Sequence, residues 1–161
     1  MLNVQSTFLE YPDNSSIATI FYFSGCDRNC EGCQNTSLKE YTPLDEKEVL
    51  RGIVNYSKRL KTNKVVLCGG DPLYKKNIDL TRKILYNLGK DFDICIYTGA
   101  LIDEVKKLNL NGFKFIKCGV FDKTKFIGSK KTDDYIQFAT SNQELYNEFL
   151  ELISHDGIYY F

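Results

Sequence analysis

Short apolar runs rich in β-branched and aromatic residues alternate along this chain with longer stretches whose apolar positions recur every three or four residues. The first apolar run covers residues 16–23, after a short strand predicted at 5–11 and the turn signal Pro12-Asp13-Asn14. Further runs follow at 64–68, 93–98 and 113–118. Between them the period changes. Thr42-Pro43-Leu44-Asp45 has the form of a helix start with Thr42 as N-cap, opening a helix to about Leu60. Val49, Leu50, Ile53, Val54 and Leu60 share one face of that helix, and Glu46, Lys47, Arg51, Lys58 and Arg59 the other. A second helix is predicted over 77–88, with Gly89 as its stop, and a third over 101–108. This strand–helix alternation predicts right-handed βαβ units and a mainly parallel sheet. Residues 119–133 read as a loop crossing the open end of the fold, with Lys123, Lys125, Lys130 and Lys131 solvated. Residues 134–140 read as another strand. Ser141-Asn142-Gln143-Glu144 reads as a capping box opening a final helix to about residue 154, with Leu145, Phe149, Leu152 and Ile153 inward, before an apolar tail at 158–161.

At 161 residues the chain fits a single domain over 1–161, large enough for a core yet short of the roughly 250 residues of a complete eight-fold barrel. Lys plus Arg and Asp plus Glu each number 21, so no bulk positive charge recruits nucleic acid. No apolar run approaches the roughly 20 residues that span a bilayer, and residues 1–13 lack the pattern of a signal peptide, so a cytoplasmic protein is expected. Six cysteines in such a chain are expected to be reduced thiols.

Three of those thiols define the candidate chemistry. Cys26, Cys30 and Cys33 form CxxxCxxC directly after the first apolar run, so one loop can point three sulfurs at one centre. Thiolates are the preferred ligands of iron–sulfur clusters and of zinc. Three ligands leave one position open, as a reactive cluster needs, whereas structural zinc closes with four, and the nearest further candidates, Cys68 and His155, lie far along the chain. Gly69-Gly70-Asp71-Pro72 breaks the second strand; two glycines let a ligand approach the chain and expose carbonyls to a cationic amine, although the same residues also suit an ordinary turn. Cys68, Cys95 and Cys118, each within an apolar strand, read as small core hydrophobes, and His155 as a solvated or helix-capping residue. In a parallel fold the Cys triplet, the Gly-Gly turn, Tyr97-Thr98-Gly99 and Lys117-Cys118-Gly119 all fall at C-terminal strand ends, where one cofactor could touch all four.

The triplet together with the Gly-Gly-Asp-Pro turn resembles the radical S-adenosylmethionine (SAM) enzymes. The string G-C-x-x-x-C-x-G-C-x-N over 25–35, with GGDPL, YTG, IKCGVF and TSNQELY in the same order, is similar to the activating enzymes of anaerobic (class III) ribonucleotide reductases. Gly32 stands where many radical SAM enzymes carry an aromatic, Arg28 where a His is common in the narrower family, and Cys68 where a Ser is frequent. The resemblance implies a partial TIM-like (β/α) barrel, a [4Fe-4S] cluster on Cys26, Cys30 and Cys33, and S-adenosyl-L-methionine completing the fourth iron with its amino and carboxylate groups. It places the amino group at Gly69, Gly70 and Asp71, and Tyr97, Thr98 and Lys117 as further SAM contacts, with no side-chain acid or base required. On that footing, bulk at Gly70 is expected to weaken SAM binding without removing iron. The implied partners are the large subunit of the anaerobic reductase, whose glycine would carry the stored radical, and a low-potential donor such as flavodoxin or ferredoxin. Other compact radical SAM enzymes, either an activase of a different glycyl-radical enzyme or a 7-carboxy-7-deazaguanine synthase-like enzyme, and a non-catalytic zinc-binding interaction module are the alternatives.

Overall fold

A computed structural model of the chain describes residues 4–7, 11–33 and 36–161. Four parallel strands form its centre: β2 (Ala18–Phe23), β3 (Lys64–Gly69), β4 (Asp93–Tyr97) and β5 (Phe115–Cys118). Helix α1 (Glu46–Leu60) joins β2 to β3, α2 (Ile78–Leu88) joins β3 to β4, and α3 (Ile102–Lys107) joins β4 to β5. Antiparallel strands extend both edges, β1 (Val4–Thr7) on β2 and β8 (Glu144–Asn147) on β5, in the order β1-β2-β3-β4-β5-β8. A separate antiparallel sheet is made by β6 (Lys130–Lys131), β7 (Tyr135–Gln137) and β9 (Ile158–Tyr160). The molecule is therefore α/β with a mainly parallel sheet. The expected strand at 5–11 is β1 in part; residues 8–10 lie outside the described residues, as does Asn35 of the cysteine motif.

Period-two alternation divides the central strands between two cores. Phe21, Phe23, Val65, Leu67, Ile94, Ile96 and Ile116 pack against Val49 and Ile53 of α1 and Ile84, Leu85 and Leu88 of α2. The alternate residues, Ala18, Ile20, Val66, Cys68 and Cys95, pack on Tyr11 and, through Tyr97 and Phe115, reach Ile136, Phe138 and Leu145. Apolarity on both faces of 16–23 thus has its cause in helices on one side and, on the other, a second core built on Tyr11 that continues to the smaller sheet. A buried hydrogen bond between Thr19 and Ser57 (2.7 Å) fixes α1 to β2.

Three expectations are corrected. The N-cap of α1 is Asp45, whose carboxylate accepts from Glu48 N at 2.9 Å; Thr42 is held earlier, its N–H donating to Ser24 Oγ at 2.8 Å. Residues 141–154 are not a helix. The Ser141–Glu144 box does not form; a bond of the same kind joins Thr140 N to Gln143 Oε1 (3.3 Å) one residue earlier, and the chain then extends into β8. Pairing with β5 satisfies the backbone of that edge while Leu145 and Tyr146 sink into the two cores on opposite faces, a combination that a helix could not supply. Phe149 and Leu152, expected inward, are exposed. Lys131 is not a freely solvated lysine either: its ammonium donates to Tyr11 O (2.7 Å) and Ser15 O (2.9 Å), binding the smaller sheet to the start of the chain.

The β8 assignment separates two residues that a helix would have treated alike. Leu145→Ala should cost about 2–5 kcal/mol in urea unfolding, and Phe149→Ala within about 0.5 kcal/mol. Equal losses would contradict the strand.

Candidate iron–sulfur site

Register alone aligns one row of side chains across the sheet. Tyr22 pairs with Cys68 and Tyr97 with Lys117, and since Leu67 pairs with Ile96, Cys68 and Tyr97 stand at the same level. All four sit at the last turn of pleat before the loops, on the face away from the helices. They floor a cavity of about 450 Å3 whose rim is made by the loops that follow each strand.

Cys26, Cys30 and Cys33 line this cavity, each half-buried and free of any disulfide. The loop that carries them is tied down at its start by Gly25 N to Leu38 O (2.6 Å) and Cys26 N to Lys39 O (3.1 Å). Within it, Cys33 N donates to Cys30 O (3.2 Å) and Arg28 N to Cys26 Sγ (3.5 Å). Burial pushes the Cys26 thiol up, with the charges of Asp71, Asp27 and Cys30 adding to the shift and the Arg28 N–H opposing it. A bound cation would reverse that balance, because it favours the thiolate.

The Gly-Gly-Asp turn lies directly against the thiol loop. Gly70 N donates to Phe23 O (2.7 Å) and Asp71 N to Gly25 O (2.9 Å), so pairing between β2 and β3 continues past both strands. A Cβ on Gly70 would stand 2.4 Å from Gly25 O, and one on Gly69 2.4 Å from Phe23 O. Both glycines are therefore required by backbone-on-backbone contact, a demand independent of any ligand. Asn77 completes the joint, its Nδ2 donating to Ser24 O (2.8 Å) and Asp71 O (2.9 Å).

Asp71 is buried, 3% exposed, and its carboxylate is heavily engaged. One oxygen accepts from Leu73 N (2.9 Å) and Thr98 Oγ1 (2.8 Å); the other accepts from Gly99 N (3.0 Å) and lies 3.5 Å from Arg28 Nε. Thr98 Oγ1 in turn accepts from Ala100 N (3.1 Å). Arg28 then reaches outward to Glu104 Oε2 (3.0 Å) at the first turn of α3. Partial burial works against the Arg28 charge, but the Glu104 hydrogen bond and the charges of Asp71, Glu104 and Asp27 outweigh it, so its pKa is raised. Arg28, singled out in the sequence only as a departure from a motif, is thus the side chain joining three strand-end loops. Its one sequence signal was a cation between two thiols.

Lys117 closes the far side. Its ammonium lies 4.1 Å from the Tyr97 ring centroid and 5.5 Å from that of Phe138, which with Ile136, Gln137 and Ala139 brings the smaller sheet into the wall. Opposite, Gly32 adopts φ +77°, and the Phe121 ring lies 3.2 Å from where its Cβ would be. An aromatic from the 119–133 segment therefore packs at the position that Gly32 leaves open. Phe138 and Tyr22 escaped the sequence reading because their apolar strands marked them only as core, and Phe121 because it was read only as part of a family block and a loop. Cys95 and Cys118 are buried as expected, with burial driving the Cys118 thiol up to about 12. Cys68 does more than pack, since it also borders the cavity. His155 is 93% exposed beside Asp156 (3.2 Å), in an isolated bridge to Ile158 and at no helix end.

The family model described as "4Fe-4S single cluster domain" matches residues 16–146, which include the thiol loop, all four parallel strands and most of β8. The chain belongs to this 4Fe-4S family. Among curated relatives, the "anaerobic ribonucleoside-triphosphate reductase-activating protein" of Escherichia coli K12 is 26% identical over 135 residues, 78% of this chain and 85% of that protein. The protein of the same name in Haemophilus influenzae is 27% identical over 129 residues, covering 76% and 82%. No solved structure gives a significant match.

The residues present fit a 4Fe-4S group. Three half-buried thiols free of any disulfide line one cavity, and in a four-iron cluster each thiolate binds its own iron, so this donor set suits such a group. Gly70 provides a test of how tightly turn and thiol loop are joined. Gly70→Ala should lower iron per chain after anaerobic reconstitution as well as any ligand binding, because the added methyl meets the backbone that carries Cys26. Iron retained in full, with SAM affinity alone reduced, would instead match the expectation from sequence.

Proposed function

We propose that this protein is a radical SAM activating enzyme, which cleaves S-adenosylmethionine reductively at a [4Fe-4S] cluster and installs a glycyl radical on the large subunit of an anaerobic ribonucleoside-triphosphate reductase. The observation that carries this reading is the convergence of three free thiols and the Gly-Gly-Asp turn on one cavity at the C-terminal ends of the parallel strands. The names of the relatives, with alignments covering more than four-fifths of their length, support the choice of partner. In this reading the four parallel strands are the surviving part of a (β/α) barrel. The smaller sheet packs on one face of those strands through Tyr97 and Phe115, and the helices cover the other.

Cys26, Cys30 and Cys33 would hold the cluster and leave one iron without a protein ligand. Bound there and reduced, such a group would supply the single low-potential electron needed for reductive cleavage of SAM. The remaining work falls to placement. Gly69 and Gly70 hold the turn within backbone contact of the thiol loop, so an amino acid end bound at the turn stays at a fixed distance from the cluster. Asp71 orients Thr98 and the Gly99 N–H through its own hydrogen bonds, and Tyr97 and Lys117 belong to the floor that the rest of SAM would meet. The side chains are asked for no proton transfer. A flavodoxin or ferredoxin would supply the electron, in the cytoplasm, where the free thiols stay reduced.

Anaerobic mixing of the reconstituted protein with SAM, a low-potential reductant and a candidate reductase should give a glycyl-radical signal by electron paramagnetic resonance. Cys26→Ala, Cys30→Ala and Cys33→Ala should each abolish the signal and 5′-deoxyadenosine release, whereas Cys95→Ala should retain both. Zinc at one per chain, with no SAM cleavage, would overturn the assignment.

A further inference from the structure

We propose that Arg28 is a positioning residue for the cluster, holding the thiol loop to the buried Asp71 carboxylate and keeping a positive charge beside the iron. This rests on the cluster site proposed above and deepens it. Three contacts converge on this one residue. Its backbone N–H donates to Cys26 Sγ at 3.5 Å, its Nε faces Asp71 at 3.5 Å, and its Nη2 bonds Glu104 at 3.0 Å. Its stem packs against Gly99, where a Cβ would come within 2.6 Å of Arg28 Cδ. The guanidinium is thus placed between two carboxylates, and its side chain, 30% exposed, spans three loops.

The consequence is electrostatic. When the cluster accepts one electron from a low-potential flavin or iron–sulfur protein, its negative charge rises by one and no proton or other group need move. A fixed cation nearby stabilises the reduced form and raises the potential. Without it, the Asp71 carboxylate would remain close to the thiol loop and buried with no positive partner, making the added electron costlier. Arg28 thus counters the negative charge at the point where one more negative charge is to be placed.

The test compares Arg28→Gln with Arg28→Lys in the anaerobically reconstituted full chain. Measured are iron and sulfide per chain, the midpoint potential by redox titration followed by electron paramagnetic resonance, and the rate of iron loss to a chelator. Arg28→Gln should lower the reduction equilibrium about tenfold, about 59 mV for one electron, and speed iron loss. Arg28→Lys should bring the potential back, while iron loss stays faster than in the wild type because one ammonium cannot reach both carboxylates. Should Arg28→Gln fail to load while Arg28→Lys loads, the need for the charge is supported equally. A wild-type potential and wild-type iron retention in Arg28→Gln would overturn the role, and so would an Arg28→Lys variant no better than Arg28→Gln. A wild-type chain that takes up no four-iron cluster would instead overturn the function proposed above, and this role with it.

Discussion

The candidate site depends on one joint of backbone. β2 and β3 do not part where their strands end: Gly70 N still reaches Phe23 O, and Asp71 N reaches Gly25 O, one residue before the first thiol. A thiol loop on a free tether would have to be ordered anew whenever it gathered a ligand, at roughly 1–2 kcal/mol per residue of backbone entropy. Here the cost of ordering its first residues is met by sheet hydrogen bonds and by close packing that only glycine permits at 69 and 70. The loop consequently inherits its position from the parallel sheet.

Asp71 carries this order sideways. Through Thr98 and Gly99 it fixes the end of β4, and through Arg28 it holds the middle of the thiol loop and, by way of Glu104, the start of α3. A buried carboxylate is tolerated only when its oxygens are well satisfied. Three hydrogen bonds and a guanidinium meet that condition for Asp71, and its burial in turn limits how far any of its partners can move. The floor of the cavity follows from strand register, its rim from this network, and its far wall from a smaller sheet anchored by Lys131 to the chain's beginning.

Most of the central fold was legible in the sequence, because four apolar runs separated by amphipathic helices admit few arrangements once crossovers are right-handed. The thiol triplet was legible too, since its meaning lies in spacing. Contacts made at long range were not. Thr140 and Gln143 form the reciprocal bond that marks a helix start, yet the open edge of β5 drew the following residues into a strand, and no local pattern encodes the presence of that edge. Arg28 meets Asp71 and Glu104 across 43 and 76 positions of sequence, respectively, so its charge could be read but its partners could not. Phe121 was equally hidden, because its neighbour Gly32 offers an absence of side chain, which becomes a feature only when another residue occupies the space.

A motif with two physical causes cannot be assigned to one of them from its letters. Gly69-Gly70-Asp71 matches the composition of a turn that receives an amino group, and each of its residues also has a structural duty that would persist with no ligand in the cavity. The two causes need not compete. A turn pressed against the thiol loop by its own lack of side chains is also held at constant distance from whatever that loop binds. Chemistry in which one electron must pass directly into a bound molecule gains more from such constancy than from any acid or base.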